Sequence, residues 1–211
     1  YSNNGVNYPS QKQIRLHTYI GTNSPQNSEG INVLQSLVGA ALVGQDIRNM
    51  YGFDRLAMSQ DFFNKKNGEN IYLNNASANS GGDWWYDVMP NMYFFQLYDL
   101  YPGFNAEADF QFNAVSEKFL EATRKMGGNA VPWTAANMNY RAWNFKTMEG
   151  NPNGVKEPET AGTFGWLLYH AYKTTGNPEY LKGAEWSLEY LNGLTSNPSY
   201  ELQLPYGAYV A

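Results

Sequence analysis

Two carboxylates bracket three aromatic rings at Asp83-Trp84-Trp85-Tyr86-Asp87, just ahead of a segment that reads as a helix. Carboxylates trade protons, and a pair of them can cleave a glycosidic bond. One protonates the leaving oxygen while the other activates water or attacks. Flat aromatic rings stack on the apolar C–H faces of sugars, and ligand pockets are commonly aromatic with a few placed polar groups. Asp83 and Asp87 are four residues apart, so both fall on one face if the helix starts early enough. The plainer reading is core packing for the rings and helix capping for the acids, because a helix N-terminus favours negative charge. A second acidic pair, Glu157 and Glu159, flanks Pro158 at the start of another helical pattern and admits the same two readings. Asp83, Asp87, Glu157 and Glu159 are the candidate acids and bases. A hydrolytic pair would take one residue from each cluster, about 5–5.5 Å apart for retention or roughly 6.5–9.5 Å apart for inversion.

Between the two clusters runs a long connection, 130–156. Loops of this length are commonly functional or mobile. With Trp84, Trp85 and Tyr86, its Trp133, Tyr140, Arg141, Trp143 and Asn144 complete the candidate substrate-binding set. The indoles would be sugar platforms. Arg141 would suit a carboxylate, and Asn137, Asn139 and Asn144 would suit hydroxyls. A loop bonded to itself is the alternative. Trp166, Trp186, Tyr93, Phe94, Phe95 and Tyr98 read as core. His170, in a helix beside Tyr169, reads as a packing residue, and His17 has no assignable role.

Several chemistries are excluded. The chain has no cysteine, so disulfides, thiol catalysis and Cys-ligated metals are out. No His or carboxylate spacing reads as a transition-metal site. No calcium loop, phosphate loop, nucleophile elbow or dinucleotide fingerprint occurs, so no cofactor is expected. The net charge is −5 without a basic run, which argues against nucleic acid. No apolar run is long enough to span a membrane. Aromatics reach 16% while charged residues are only 16%, below the roughly 25% of ordinary soluble domains. Asn occurs 25 times, as suits hydroxyl-rich ligands or many turns.

The positioning elements are helices. Residues 1–27 read as an extended arm with a short strand near Ile14–Ile20, and 28–211 as one helical domain. The first helix is predicted from Ser28 to Met50, closed by Gly52, with Ile31, Leu34, Val38, Ala41 and Leu42 as its apolar stripe. Gly39, Ala40 and Gly44 would admit a close neighbour. Asn64–Asn70 reads as a surface loop. The second helix is predicted over Asp87–Leu100, since Pro90 belongs in a first turn. The third is predicted from the Asn105 cap to Met126, the fourth from Pro158 to Gly176, and the fifth from Asn177-Pro178 to near Gly193. A further helix opens at Leu204–Ala211. Phe95–Tyr98, Gly103 and a capped helix match Tyr169–Tyr172, Gly176 and a capped helix. Repeated hairpins of this kind stack into solenoids or rings. Alternating helix direction would gather the stretch before the second helix, the 130–156 connection and the start of the fourth at one end.

The run Trp143-Asn144-Phe145-Lys146-Thr147-Met148, then Asn153-Gly154, then Glu157-Pro158-Glu159-Thr160-Ala161-Gly162 leading into an aromatic helix, resembles the six-hairpin glycosidase superfamily. The Asp83–Asp87 segment and the Asn177-Pro178 turn fit the same resemblance, which covers 28–211. It implies an all-α fold of α-hairpin repeats forming part of an (α/α)6 toroid. It further implies a carbohydrate-active enzyme of Bacteroidetes type, secreted or periplasmic, and of glycoside hydrolase chemistry. Five helices and the start of a sixth fall short of a closed ring, so the N-terminal half of such a toroid is expected. The alternatives are a polysaccharide lyase on a related toroid, for which Tyr140, Arg141, Asn144 and His17 would matter more, and a non-catalytic glycan-binding or scaffold module.

Overall fold

The computed structural model describes residues 4–14, 29–198 and 201–211. His17, Ser28 and most of the Ile14–Ile20 strand lie outside the described residues. The chain is predominantly helical, with two short antiparallel ribbons. Its residues gather into two compact units: 1–79 with 90–112, and 80–89 with 113–211.

In the first unit, α1 (Gly30–Leu42) buries Ile31, Val33, Leu34, Leu37 and Val38. It stops eight residues before the predicted Met50. Gly44 adopts φ +80° directly after the Val43 cap, a conformation that glycine accepts readily and that a helix cannot continue through. Leu42 is consequently exposed. Among the described residues, a Cβ on Gly39 or Gly44 would meet nothing within 4 Å, so no close neighbour is seen at either. The close approach is at Gly30, where a Cβ would sit 2.6 Å from the Leu73 carbonyl oxygen. After α2 (Arg55–Ser59) and a 3-10 turn (Gln60–Phe62), the 64–70 segment is only partly the predicted surface loop, because Asn64 and Glu69 are buried. The core here is aromatic: Tyr72 stacks on Phe94 at 4.3 Å, and Phe95 on Phe112 at 4.5 Å. Asn91 exchanges two hydrogen bonds with the backbone of Tyr72, at 2.8 and 2.9 Å.

Helix α3 (Trp84–Leu100) begins three residues before its predicted start, so Pro90 lies inside it. Helix α4 (Ala106–Lys125) has the predicted Asn105 cap, whose Oδ1 accepts from the Ala108 amide at 3.0 Å.

In the second unit, α5 (Thr160–Thr175) and α6 (Pro178–Asn192) form the predicted hairpin. Gly176 closes α5 in the left-handed region at φ +73°, and the Asn177 side chain caps α6. Helix α7 (Gln203–Val210) packs on α5 through two glycines. A Cβ on Gly207 would meet the Gly162 Cα at 2.6 Å. Phe164 centres the core, edge-on to Trp84 at 5.6 Å and against Phe119 at 4.6 Å. The 130–156 connection, expected to be irregular, holds both ribbons: β1 (Asn129–Ala130) with β2 (Trp133–Thr134), and β3 (Ala142–Asn144) with β4 (Glu149–Asn151). Strands of two or three residues are too short to show an alternating pattern. Their turn chemistry makes them, as when Asn144 Oδ1 accepts from the amides of Lys146 and Thr147 at 3.0 and 2.9 Å.

Candidate functional site

One carbonyl organises the site. The Tyr140 oxygen accepts from the Trp84 indole at 2.9 Å and from the Glu157 amide at 3.2 Å. Residue 140 thereby fastens the start of α3 and the approach to α5 to the foot of the β3–β4 ribbon. Two further bonds tie the stretch before α3 to the same ribbon. Asn151 donates to the Gly81 carbonyl at 2.9 Å, and the Phe145 amide donates to Ser80 Oγ at 2.8 Å. Arg141 joins the ribbon through its own amide, which donates to Asn151 at 2.9 Å.

Arg141 lies between two acids. Its Nη2 donates to Asp83 Oδ2 and its Nη1 to Glu157 Oε1. The side chains are 26%, 24% and 14% exposed for Arg141, Asp83 and Glu157, so the cluster is part-buried. Asp83 also caps α3, accepting from the Trp85 amide at 3.0 Å. One oxygen of Asp83 thus caps the helix while the other pairs with Arg141. Glu157 Oε2 is buried with no hydrogen-bond partner among the described residues. Unpaired buried oxygens of this kind are costly and uncommon in folded proteins.

Asp87 lies one turn beyond Asp83 and is almost fully buried. Burial pushes its carboxyl up to about 7, against the opposing pull of the backbone N–H groups of Gly81, Asp83 and Gly82, and the Asp83 charge raises it further. The Gly81 bond is 2.8 Å long. Asp87 therefore braces the loop in front of α3 and titrates near neutral pH.

The other predicted residues separate into surface and core. Tyr86 is 41% exposed and Trp85 half-buried. Trp84 and Trp143 are buried and cannot serve as platforms. Trp84 packs on Phe164, and the Trp143 indole points to the Met148 sulfur at 3.5 Å. Tyr140 is half-buried, and its ring covers Gly150, where a Cβ would come within 2.3 Å of it. Asn144 is committed to its turn, and Glu159 is buried. Trp133 is exposed at the β1–β2 ribbon. His170 stacks on Trp166 at 3.8 Å, and Trp166 and Trp186 are core, as expected.

Sequence reasoning missed Ser80, Gly81, Asn151 and the Tyr140 carbonyl, which carry no charge. Gly81, at φ +98°, was the one local signal among them. Among the described residues no group of three His, Cys, Asp or Glu could hold a metal ion, and no helix is long and apolar enough to cross a membrane. Compared with known protein families, characterised proteins and solved structures, the chain matches none.

Proposed function

We propose that this chain belongs to a carbohydrate-active enzyme of the glycoside hydrolase type. Its carboxylate pair would be Asp83 and Glu157, and its fold part of an (α/α)6 toroid of helical hairpins. The observation that carries the reading is the meeting of two carboxylates from distant segments on one guanidinium, with the partly exposed Trp85 and Tyr86 following Asp83 in the chain. Glycosidic cleavage needs two carboxyls at a fixed separation, one giving a proton and one taking a proton or attacking. A shared guanidinium holds the two carboxylates near one another through two charge-assisted hydrogen bonds. The matching Gly103–Asn105 and Gly176–Asn177 turns, each joining two long helices, support the hairpin ring. A secreted or periplasmic location follows from a polymeric substrate.

Arg141 favours this chemistry over a lyase. Arg141 is one of the residues a lyase would use to neutralise a uronate, and both its terminal nitrogens already hold carboxylates. One cation with two anions leaves the cluster net negative, which repels an acidic sugar and suits a neutral one. The test is product release from neutral and acidic polysaccharides by the protein and by Asp83→Asn and Glu157→Gln. Each substitution should lower turnover by about 10²–10⁴-fold, the usual worth of acid–base catalysis. Full activity in either variant, or a product absorbing as an unsaturated uronate, overturns the reading. Glycan binding without turnover in every assay would favour the non-catalytic module.

A further inference from the structure

Trp133 stands apart from the carboxylate cluster in its contacts. Its partners are on α6: the indole N–H donates to Glu189 Oε2, and the ring meets Trp186 at 6.0 Å with a 49° tilt. A tilted neighbour at that distance steadies the ring without stacking on its face. The ribbon that carries Trp133 is braced at both ends. Asn129 Nδ2 donates to the Val131 and Pro132 carbonyls at 2.9 and 3.1 Å, and the Ala136 amide donates to the Trp186 carbonyl at 3.2 Å. Gly128 lies so close to the Trp186 indole that a Cβ there would come within 2.8 Å. The result is an indole fixed in orientation yet 45% exposed, next to Val131 at the ribbon tip, which is 87% exposed.

A fixed, exposed indole loses little freedom on binding, which favours affinity. One ring and a ribbon tip are far smaller than the roughly 800 Å² per partner of a stable protein interface. Glu189 and Glu185 are exposed on α6, so the rim is acidic and would disfavour an anionic ligand. An apolar plate with hydrogen-bonding oxygens at its edge fits the C–H face and hydroxyls of a neutral sugar. We propose that Trp133 is the platform of a glycan-binding subsite distinct from the Asp83–Arg141–Glu157 cluster, taking a neutral pyranose unit with Glu189 holding the ring in place. This inference rests on the carbohydrate reading above.

The test is electrophoresis of the protein through gels containing a neutral α-glucan, mannan, xylan or galactan, with polygalacturonate as the acidic probe, alongside product release from the same polymers. Wild-type protein should be retarded by at least one neutral glycan. Trp133→Ala should weaken that retention about tenfold or more, as loss of one binding hot spot does, and Trp133→Tyr should keep most of it. Glu189→Gln, which retains an acceptor for the indole, should have a smaller effect and serves if Trp133→Ala fails to fold. Unchanged retention in folded Trp133→Ala overturns the subsite. No retention of wild type overturns it too, even where product release leaves the hydrolase reading standing. Retention lost in Trp133→Ala with no product from any polymer supports the subsite and removes the hydrolase.

Discussion

Asp83 and Glu157 share Arg141, although Asp83 lies 58 residues before it and Glu157 16 residues after it. Neither acid is close to Arg141 along the chain, so the cluster reports the tertiary fold. With about a quarter or less of each side chain exposed, the pairs lie between surface ion pairs, worth about 0–1 kcal/mol, and buried ones, whose disruption costs about 3–5 kcal/mol. Arg141→Met removes the cation and leaves two carboxylates facing each other. We expect it to destabilise the protein by roughly 2–3 kcal/mol. Urea denaturation should show Asp83→Asn partly rescuing Arg141→Met, because it removes one of the opposed charges. If the double variant is as unstable as the sum of the singles, the three groups do not act as a unit.

Trp84→Phe tests the Tyr140 carbonyl. The ring position against Phe164 is kept and the indole donor is lost. The expected cost is about 1–2 kcal/mol for the hydrogen bond plus the smaller ring. Amide exchange at Glu157, which donates to the same carbonyl, should change little, because that bond remains. Faster exchange at Glu157 would mean that the indole positions the carbonyl as well as binding it.

The parts of this fold legible in the sequence are those written in local chemistry. Asn105 and Asn177-Pro178 are caps, Gly103 and Gly176 are stops, and the α5–α6 hairpin follows from the second pair. The misplaced ends have local causes too. The apolar run through Leu42 and Val43 continues a helical pattern that the left-handed Gly44 cuts off. The proline alone places Pro90 in a first turn, but capping by Asp83 begins α3 earlier and leaves Pro90 inside it. The acids and Arg141 were visible as candidates by type. That they would converge on one another was not, since a salt bridge across 58 residues leaves no periodic trace. Trp84 and Trp143 show the limit of residue type: a buried and an exposed indole are spelled alike.

Asp87 should make stability depend on pH. Its carboxyl is raised by burial from an ordinary 3.8 to about 7 in the folded protein. Between those values the folded state holds a proton that the unfolded chain releases. The stabilisation from this group is therefore complete below about 3.8 and is lost as pH rises through about 7. The loss is on the order of a few kcal/mol at most. Asp87→Asn keeps an acceptor for the Gly81 amide without the charge. Melting temperatures from pH 4.5 to 8.5 should fall more steeply for wild type than for Asp87→Asn, so that the variant gains on wild type at the alkaline end. Parallel curves would rule out Asp87 as the titrating group.

Asp61 pins the described part of the N-terminal arm. Its Oδ1 accepts from the amides of Asn7 and Tyr8 at 2.7 and 3.1 Å, and its Oδ2 from Val6 at 3.0 Å. Three backbone donors converging on one buried carboxylate form an anion-holding turn, in which each bond is charge-assisted. The arm is held at Tyr8 as well, whose hydroxyl accepts from Gln111 at 2.7 Å and donates to Glu107 at 3.0 Å. Asp61→Ala removes all three acceptor contacts and should cost about 2–4 kcal/mol. Trypsin cleavage after Lys12, which is exposed in the arm, should accelerate strongly in that variant. Asp61→Asn keeps one acceptor oxygen of similar shape and should be cleaved at an intermediate rate. If Asp61→Asn matches wild type, shape rather than charge holds the arm. If Asp61→Ala also matches wild type, the Tyr8 hydroxyl contacts hold it without help.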